Sequence, residues 1–222
     1  MKTIIKRKVF KMKKSIKDYL VILMGLMVLS FFFASCMSVE VQFETEPMIN
    51  SSDKIDQELA NLTNPFQFID FEGLPLGVQF STGQFFFETA TKMSATEFQW
   101  SNSIVTTAGY VKVMNNQKAG GGGQDIWLNN IRLCFDFPFS PQKIILFYGL
   151  YGGNMNLMVN GDLRNEEDVM LMDKTNLGGV DIYVVEANVP GGVQGIILLD
   201  GTINALEIGG QEFFIDHVGF KN

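Results

Sequence analysis

Acidic side chains near the two ends of the C-terminal part of the chain are the first groups that could do chemistry. Asp70 and Glu72 occupy alternate positions after Phe66, and Asp216 lies two residues after Phe214. If these aromatic residues face a core, Asp70 and Asp216 face it too, because strand side chains alternate. A buried carboxylate must be paired, hydrogen-bonded or metal-bound. Two roles are therefore open to them: binding an oxygen-preferring cation such as Ca²⁺, or accepting backbone N–H bonds near the strand ends.

A second candidate group combines aromatic and amide side chains: Tyr148, Tyr151, Asn154 and Asn156. Aromatic rings stack on sugar rings, and amides both donate to and accept from hydroxyl groups. A strand over Met155–Val159 would place the two asparagines on its outer face, beside the tyrosines. We expect these four residues to bind a ligand. The alternative is an ordinary solvent-exposed strand face.

Catalytic motifs are not recognisable in this sequence. His217 is the only histidine, and no Gly-x-Ser-x-Gly motif accompanies it, so a Ser-His-Asp enzyme is not indicated. The glycine run 120–123 lacks the Lys-Ser/Thr of a phosphate-binding loop. The acidic residues between 162 and 173 do not fit EF-hand spacing, and we interpret them as a solvated loop. We predict that the protein is not an enzyme; a glycosidase stays the alternative, because paired carboxylates are a spatial feature.

The N-terminal 35 residues have the pattern of an export signal. They hold eight Lys or Arg residues and one acid, and an uncharged apolar run over 19–35 follows the basic part. A basic region, a short apolar region and small residues at a cleavage point are typical of a signal peptide. A membrane-spanning helix needs about 20 apolar residues, more than this run supplies. An uncleaved anchor is the alternative.

The end of this run, Phe33-Ala34-Ser35-Cys36, resembles the lipobox of bacterial lipoproteins, although Phe33 stands where Leu is usual. The resemblance implies that the Cys36 thiol is acylated, with palmitate among its lipids, and becomes the mature N-terminus. It also implies a location in the cell envelope. Acidic residues shortly after Cys36 resemble a surface-export signal of some diderm bacteria and imply the outer membrane or cell surface; a plain solvated linker is the alternative. Cys134 then has no disulfide partner within the chain, and we expect an inert thiol in a strand.

Charge narrows the range of partners. The chain has 17 basic and 24 acidic residues; without the first 35, its net charge is near −14. Such a surface repels nucleic acid and anionic lipid heads, so the lipid on Cys36 must hold the protein at a membrane. We interpret residues 36–64 as an acidic tether, with one short helix over Asp53–Asn61 capped by Ser52.

The remainder, residues 65–222, is predicted to be an all-β domain, an antiparallel jelly-roll-like β-sandwich. β-Branched and aromatic residues dominate its short apolar runs, and Gly-rich turns separate them. Asn160-Gly161 and Asp200-Gly201 predict type I′ hairpins. One ten-residue segment from Gly122 is similar to a segment from Gly209, which suggests two similar strands or chance.

The opening residues Ile69-Asp70-Phe71-Glu72 and the closing residues 214–218 resemble the first and last strands of galactose-binding-like jelly rolls. That fold includes many carbohydrate-binding modules, in which these strands are neighbours and often share a Ca²⁺. The resemblance implies a structural calcium held by Asp70, Glu72 and Asp216. Together these features predict a membrane-tethered, non-catalytic module that binds carbohydrate or another polymer. The alternative is a structural or assembly lipoprotein that binds another envelope protein.

Overall fold

Period-two alternation and frequent turn residues produce short strands along nearly the whole of the C-terminal part. The computed structural model describes residues 50–60 and 66–222, which belong to one compact unit, Met48–Asn222. Within them lie one α-helix, α1 (Ser51–Ala60), and one 3-10 helix (Val169–Met172). The strands are β1 (Gln67–Ile69), β2 (Gln79–Ser81), β3 (Phe85–Glu88), β4 (Thr91–Thr96), β5 (Phe98–Gln99), β6 (Val105–Thr106), β7 (Tyr110–Met114), β8 (Asp125–Asn129), β9 (Ile131–Asp136), β10 (Lys143–Leu150), β11 (Met155–Val159), β12 (Asp162–Glu166), β13 (Thr175–Leu177), β14 (Val180–Val189), β15 (Gly192–Asp200), β16 (Leu206–Gly210) and β17 (Phe213–Lys221).

Two antiparallel sheets form the domain, which confirms the predicted all-β sandwich. The larger sheet has the order β13-β14-β15-β10-β17-β8-β7-β2, with β1 paired to β17 as its ninth strand. The smaller sheet has the order β12-β11-β16-β9-β4-β3. Strands β5 and β6 form a separate hairpin. Most neighbours in each sheet are distant in sequence, so the fold depends on long-range pairing.

The core lies between the two sheets. Each contributes the apolar face of its alternating strands, with Ile144 and Leu146 from the larger sheet meeting Leu133 and Ile208 of the smaller one. On β11 the core-facing residues are Met155, Leu157 and Val159. Full burial of a side chain of this size stabilises the fold by about 1.5–3 kcal/mol.

One of the two predicted hairpins is correct. Asn160 and Gly161 both have positive φ, 52° and 92°, and Val159 pairs with Asp162 across the turn. The hairpin predicted at Asp200-Gly201 is wrong. Strand β15 ends there in the larger sheet, whereas β16 belongs to the smaller sheet, so the connection crosses from one sheet to the other.

The larger sheet is also covered on its outer face, by α1. Ile55 of the helix is fully buried against Ile145, Ile196 and Leu198. Glu58 accepts bonds from the Lys143 ammonium at 2.6 Å and the Lys221 ammonium at 2.8 Å. The helix begins at Ser51, two residues before the predicted start, and ends at Ala60. The segment interpreted as a tether therefore contains a helix that packs on the sandwich.

The first and last strands are neighbours, as the jelly-roll resemblance implies, but their inward faces differ from the prediction. Ile69 of β1 pairs with Val218 of β17. Ile69 and Phe71 point to the core, so Asp70 is exposed, and its predicted inward orientation is wrong.

On β17 the alternation is interrupted by a bulge. His217 has a φ of 47°, and the pairing with β10 shifts register at this point. Because the bulge inserts an extra residue, the core-facing set runs Phe213, Ile215 and then Val218. Asp216 is buried, only 2 % exposed, but it is not part of that apolar set.

The two similar segments become neighbouring strands. β8 pairs with β17 through three residue pairs, and one of them joins Trp127 to Phe214, the residues that correspond in the two segments. Their rings lie parallel, with centroids 5.9 Å apart. In the part of the chain that the structure describes, no helix is long and apolar enough to cross a membrane.

Candidate functional site

A surface groove surrounds the short segment Tyr151–Gly153, which follows β10. Two adjacent cavities, of about 690 Å³ and about 400 Å³, share these three residues. We call the pair the Tyr151 groove. The larger cavity is also lined by Leu150, Glu167, Asp168, Val169, Glu186, Gly191, Gly192 and Val193, and the smaller by Asn129, Asn130, Gln211 and Glu212.

Strand ends bring the groove residues together. Leu150 ends β10 opposite Val193, and the backbone N–H of Tyr151 donates to the carbonyl of Glu212 at 3.0 Å. Gly192 lets β15 approach this segment closely, since a Cβ there would lie 2.3 Å from the Leu150 carbonyl oxygen and 2.9 Å from the Tyr151 ring. The position of Tyr151 is therefore fixed by backbone pairing on two sides.

A row of aromatic side chains leads up to the groove. Tyr110, Trp127 and Phe214 lie on three neighbouring strands, and the Tyr110 and Phe214 rings lie 5.3 and 5.9 Å from the Trp127 ring. Tyr151 meets Phe214 edge to face at 5.6 Å. The ammonium of Lys118 lies 4.4 Å from the Tyr151 ring centre, within cation–π distance. One side of the row is therefore occupied by Lys118, and the half-buried Trp127 and Tyr110 continue it.

Tyr148 is not a surface residue, and its predicted outward position is wrong. It shares the core face of β10 with Ile144 and Leu146, is fully buried, and stacks on Phe213. Its hydroxyl donates to the carboxylate of Glu186 at 2.7 Å. Burial raises the pKa of Tyr148 far above its ordinary value, and the bond to Glu186 raises it further. Tyr148 thus supports the groove from beneath, through Glu186.

Asn154 and Asn156 also have a different environment from the predicted one. Asn156 lies opposite the core face of β11, as alternation requires, and Asn154 directly precedes the strand, but the β5–β6 hairpin covers both and both are buried. The Asn156 amide accepts from the Gln99 N–H at 2.8 Å and donates to the Gln99 carbonyl at 2.9 Å. The Asn154 amide donates to the same carbonyl at 3.1 Å and to Asn165. Of the four predicted ligand-binding residues, only Tyr151 lines the groove.

Two of the three predicted metal ligands, Glu72 and Asp216, lie against the glycine run. A Cβ on Gly121 would lie 1.7 Å from an Asp216 carboxylate oxygen, and one on Gly123 would lie 1.9 Å from Glu72. Glu72 accepts the backbone N–H of Gln124, and the Asp70 carboxylate accepts that of Glu72 at 3.3 Å. At Gly121 a side chain would collide with the buried Asp216 carboxylate, and at Gly123 the positive φ of 98° favours glycine.

A histidine lies against the buried member of this group. The Asp216 carboxylate accepts the His217 backbone N–H at 2.7 Å, and its other oxygen lies 2.9 Å from the His217 ring nitrogen Nδ1. Burial raises the pKa of Asp216 above its ordinary value, although the bonds from His217 act against this. The hydrogen bond of its ring to the Asp216 carboxylate raises the pKa of His217. Burial also raises the pKa of the neighbouring Asp125.

The side chains of this group do not form a calcium-binding site by themselves. Among residues 50–60 and 66–222, no three His, Cys, Asp or Glu side chains converge so that they could hold a metal ion. Asp70, Glu72 and Asp216 instead accept backbone N–H bonds, the other role open to them.

The predicted lipidation site, Cys36, lies outside the described residues, as does the predicted signal peptide. Cys134 is half-buried, and burial raises the pKa of its thiol, in agreement with the expected inert thiol.

Most groove residues had no recognisable signal in the sequence. Glu167 and Asp168 belong to the acidic stretch interpreted as a solvated loop, and they do lie exposed at the groove. Glu186 and Glu212 come from other parts of the chain and meet the first two only through the fold. A search for carboxylates at strand ends would have found them, but among many others.

Comparisons with known proteins add no relative: the chain matches no family model, no curated protein and no solved structure. An aromatic ring, side-chain amides and carboxylates around one open groove can accept and donate hydrogen bonds to a polyhydroxylated ligand.

Proposed function

We propose that this protein is a lipid-anchored, non-catalytic binding module of the bacterial cell envelope, and that it binds a glycan in the Tyr151 groove. The observation that carries the proposal is the groove itself. It joins the half-buried ring of Tyr151 to the amides of Asn129, Asn130 and Gln211. Sugar-binding sites use this combination of an aromatic face with groups that bond to hydroxyls.

Two further observations support a binding role over catalysis. The carboxylates of the groove are divided between its two cavities, and Glu186 already accepts the bond from Tyr148. A β-sandwich that places its ligand groups at strand ends is a rigid scaffold for recognition. The resemblance of the first and last strands to carbohydrate-binding jelly rolls agrees with this proposal.

Glycan binding is tested with the full-length chain in a neutral detergent, by calorimetric titration with oligosaccharides of several linkages. We expect binding to at least one of them, and loss of that binding in Tyr151→Ala. The matched control is Phe87→Ala, because Phe87 is 60 % exposed and does not line the groove. Binding that survives Tyr151→Ala but not Phe87→Ala would place the ligand elsewhere.

The anchor is a separate part of the proposal and rests on the lipobox resemblance at Cys36. Because acylation needs the thiol, Cys36→Ser should move the protein from the membrane fraction to the soluble fraction of the envelope and abolish incorporation of labelled palmitate. Cys134→Ser is the control and should leave both unchanged. A Cys36→Ser protein that still incorporates palmitate would contradict the assignment.

Structural calcium at Asp70, Glu72 and Asp216 stays a prediction, and no step of glycan binding depends on it. If the ion binds, Ca²⁺ should raise the melting temperature relative to EDTA, and Asp216→Asn should remove that increase. Equal melting temperatures with Ca²⁺ and EDTA would leave hydrogen bonding as the role of these carboxylates.

A second function, assembly with another envelope protein, is favoured by one feature. Strand β3 lies at the edge of the smaller sheet and exposes Phe85 and Phe87, 55 % and 60 % respectively. Exposed aromatic residues on an edge strand can pair with another chain. Loss of a co-purifying envelope protein in Phe87→Lys, with glycan binding unchanged, would support this function.

A further inference from the structure

Strand β3 differs from the other strands that lie at the ends of the two sheets in the described part of the chain. Strands β2 and β13 end the larger sheet, and β12 and β3 end the smaller one. Strand β12 carries Asp162, Arg164 and Glu166, and charged side chains on an edge discourage pairing with another chain. Within residues 50–60 and 66–222, none of β2, β12 and β13 exposes a large apolar side chain, whereas β3 exposes Phe85 and Phe87. Strand β3 is therefore the edge that is least protected against pairing.

The free edge of β3 also presents the backbone of these two phenylalanines. The Ala95 N–H, which follows β4 from the side of the β3 pairing, donates to the Gln84 carbonyl at 2.9 Å. Bonded positions alternate along an antiparallel pair, so Phe86 bonds to β4 as well. The N–H and C=O groups of Phe85 and Phe87 then point to the free edge, where no further strand of the described chain lies.

This edge is complementary to itself. Antiparallel pairing of two β3 strands about a two-fold axis at Phe86 places Phe85 of one copy opposite Phe87 of the other. Both residues present their bonding groups there, so each such pair exchanges both of its N–H···O bonds. The opposed rings form cross-strand aromatic contacts, which stabilise a sheet. Within one copy the same two rings already meet edge to face, with centroids 5.9 Å apart. A self-complementary patch of this kind is the basis of a two-fold symmetric dimer.

The charges along β3 are compatible with this register. It places Glu88 of one copy, the single charged residue of the strand, opposite Gln84 of the other. The Gln84 amide oxygen already accepts the Ser81 N–H at 2.7 Å, which leaves its NH₂ group to donate. One Glu88 oxygen accepts the Gly73 N–H at 3.3 Å, and the other can accept from Gln84. The register therefore sets a carboxylate against a donor and brings no like charges opposite each other.

We infer that β3 pairs with β3 of a second copy of this chain, so that two smaller sheets join into one continuous antiparallel sheet. The inference does not depend on glycan binding, and it names a second copy, rather than a different envelope protein, as the partner of this edge. With about 200 Å² for a phenylalanine side chain, the exposures of 55 % and 60 % amount to about 230 Å² of aromatic surface per copy. Stable interfaces bury about 800 Å² per partner, so this dimer should be weak and should need a high local concentration.

Disulfide formation tests the register directly. Phe85→Cys and Phe87→Cys are introduced separately into the full-length chain that carries Cys134→Ser, and the two proteins are oxidised alone and as an equal mixture in neutral detergent. Bonded antiparallel pairs have Cα atoms about 5.5 Å apart, a distance that a disulfide spans. We expect covalent dimers in the mixture. Either protein alone should stay at the level of the Cys134→Ser parent, because each new cysteine faces a phenylalanine in its own homodimer.

Sedimentation velocity of the chain over a range of protein concentrations measures the dimer itself. Phe87→Lys disrupts both symmetry-related aromatic pairs at once and should weaken the dimer by at least about tenfold. Ile104→Lys is the matched control, because Ile104 is also 60 % exposed but lies outside the strands. This control should leave the dissociation constant unchanged.

Each contrary outcome overturns the inference in a recognisable way. Covalent dimers above the parent level in either single-cysteine protein alone would show a different register. A dimer that Phe87→Lys leaves intact would place the interface elsewhere. A chain that stays monomeric at every concentration and gives no covalent dimer in the mixture would exclude self-pairing. A different envelope protein that co-purifies in equal amount and suppresses the mixed disulfide would assign the edge to that protein instead.

Discussion

Removal of the buried side chain of α1 tests whether this helix is an integral part of the sandwich. Ile55 is fully buried and packs with Ile145, Ile196 and Leu198 on the outer face of the larger sheet. Truncation of such a residue in Ile55→Ala removes its transfer free energy and leaves a cavity, which typically costs about 2–5 kcal/mol. For a chain of this size about 1 kcal/mol lowers the melting temperature by roughly 2–4 °C. A loss of about 3 kcal/mol therefore predicts a decrease of about 6–12 °C.

The assay is urea and thermal unfolding followed by circular dichroism, with hydrogen exchange of α1 measured in parallel. Ile104→Ala is the control, because Ile104 is 60 % exposed and its truncation should change stability by less than about 0.5 kcal/mol. If α1 detaches before the sheets unfold, the loss appears as faster exchange in residues 51–60 with a smaller decrease in melting temperature. An Ile55→Ala protein with unchanged melting and unchanged exchange would refute the packing described for α1.

Three further predictions concern stability. Burial tends to raise the pKa of Glu58, but the bonds from Lys143 and Lys221 outweigh it and lower the pKa below its ordinary 4.5. The ionised Glu58 therefore stabilises the fold above pH 4.5, and this contribution is lost as the pH falls through the pKa of Glu58 in the folded protein. Urea titrations over pH 2–6 should show a shallower loss in Glu58→Gln than in the native chain; equal slopes would contradict the pairing. Asn156→Ala removes both bonds to Gln99 from a buried site and should cost about 1–3 kcal/mol, with faster hydrogen exchange in the β5–β6 hairpin; unaltered exchange there would contradict the role of this amide. Tyr148→Phe removes the hydroxyl bond to a groove carboxylate and should cost about 1 kcal/mol by urea unfolding, and an increase in stability would show that the bond is unfavourable.

Local sequence signals were sufficient where the interaction itself is local. Alternation over Met155–Val159 correctly gave the core face of β11, and Asn160-Gly161 correctly gave its hairpin, because positive φ at both turn residues selects that turn. The Asp200-Gly201 signal failed because tertiary bonds decide the path there. The Gly201 N–H donates to the Gln142 carbonyl and the Ile203 N–H to the Pro141 carbonyl, both at 2.8 Å, and these bonds direct the chain into the other sheet.

The orientation of the acidic residues could not be deduced from alternation because alternation itself is interrupted. The bulge at His217 changes the phase of β17, so the positions after it follow a different count from those before it. The inward face of β1 also differs from the predicted one, since Phe68 is 39 % exposed and Ile69 is fully buried. Aromatic residues on both faces of a short strand leave its inward face ambiguous.

The sequence does not locate the groove, because residues that are distant along the chain form it. The middle of each strand packs in the apolar core, so polar groups concentrate at strand ends. There, residues far apart in sequence become neighbours. Tyr151, Glu186 and Glu212 meet in this way. On the α1 side of the sheet, Glu58 and Asp200 are matched by lysines and contribute to stability. The groove carboxylates form no ion pair among the described residues, and Glu186 and Asp168 instead accept hydrogen bonds from Tyr148 and Met170.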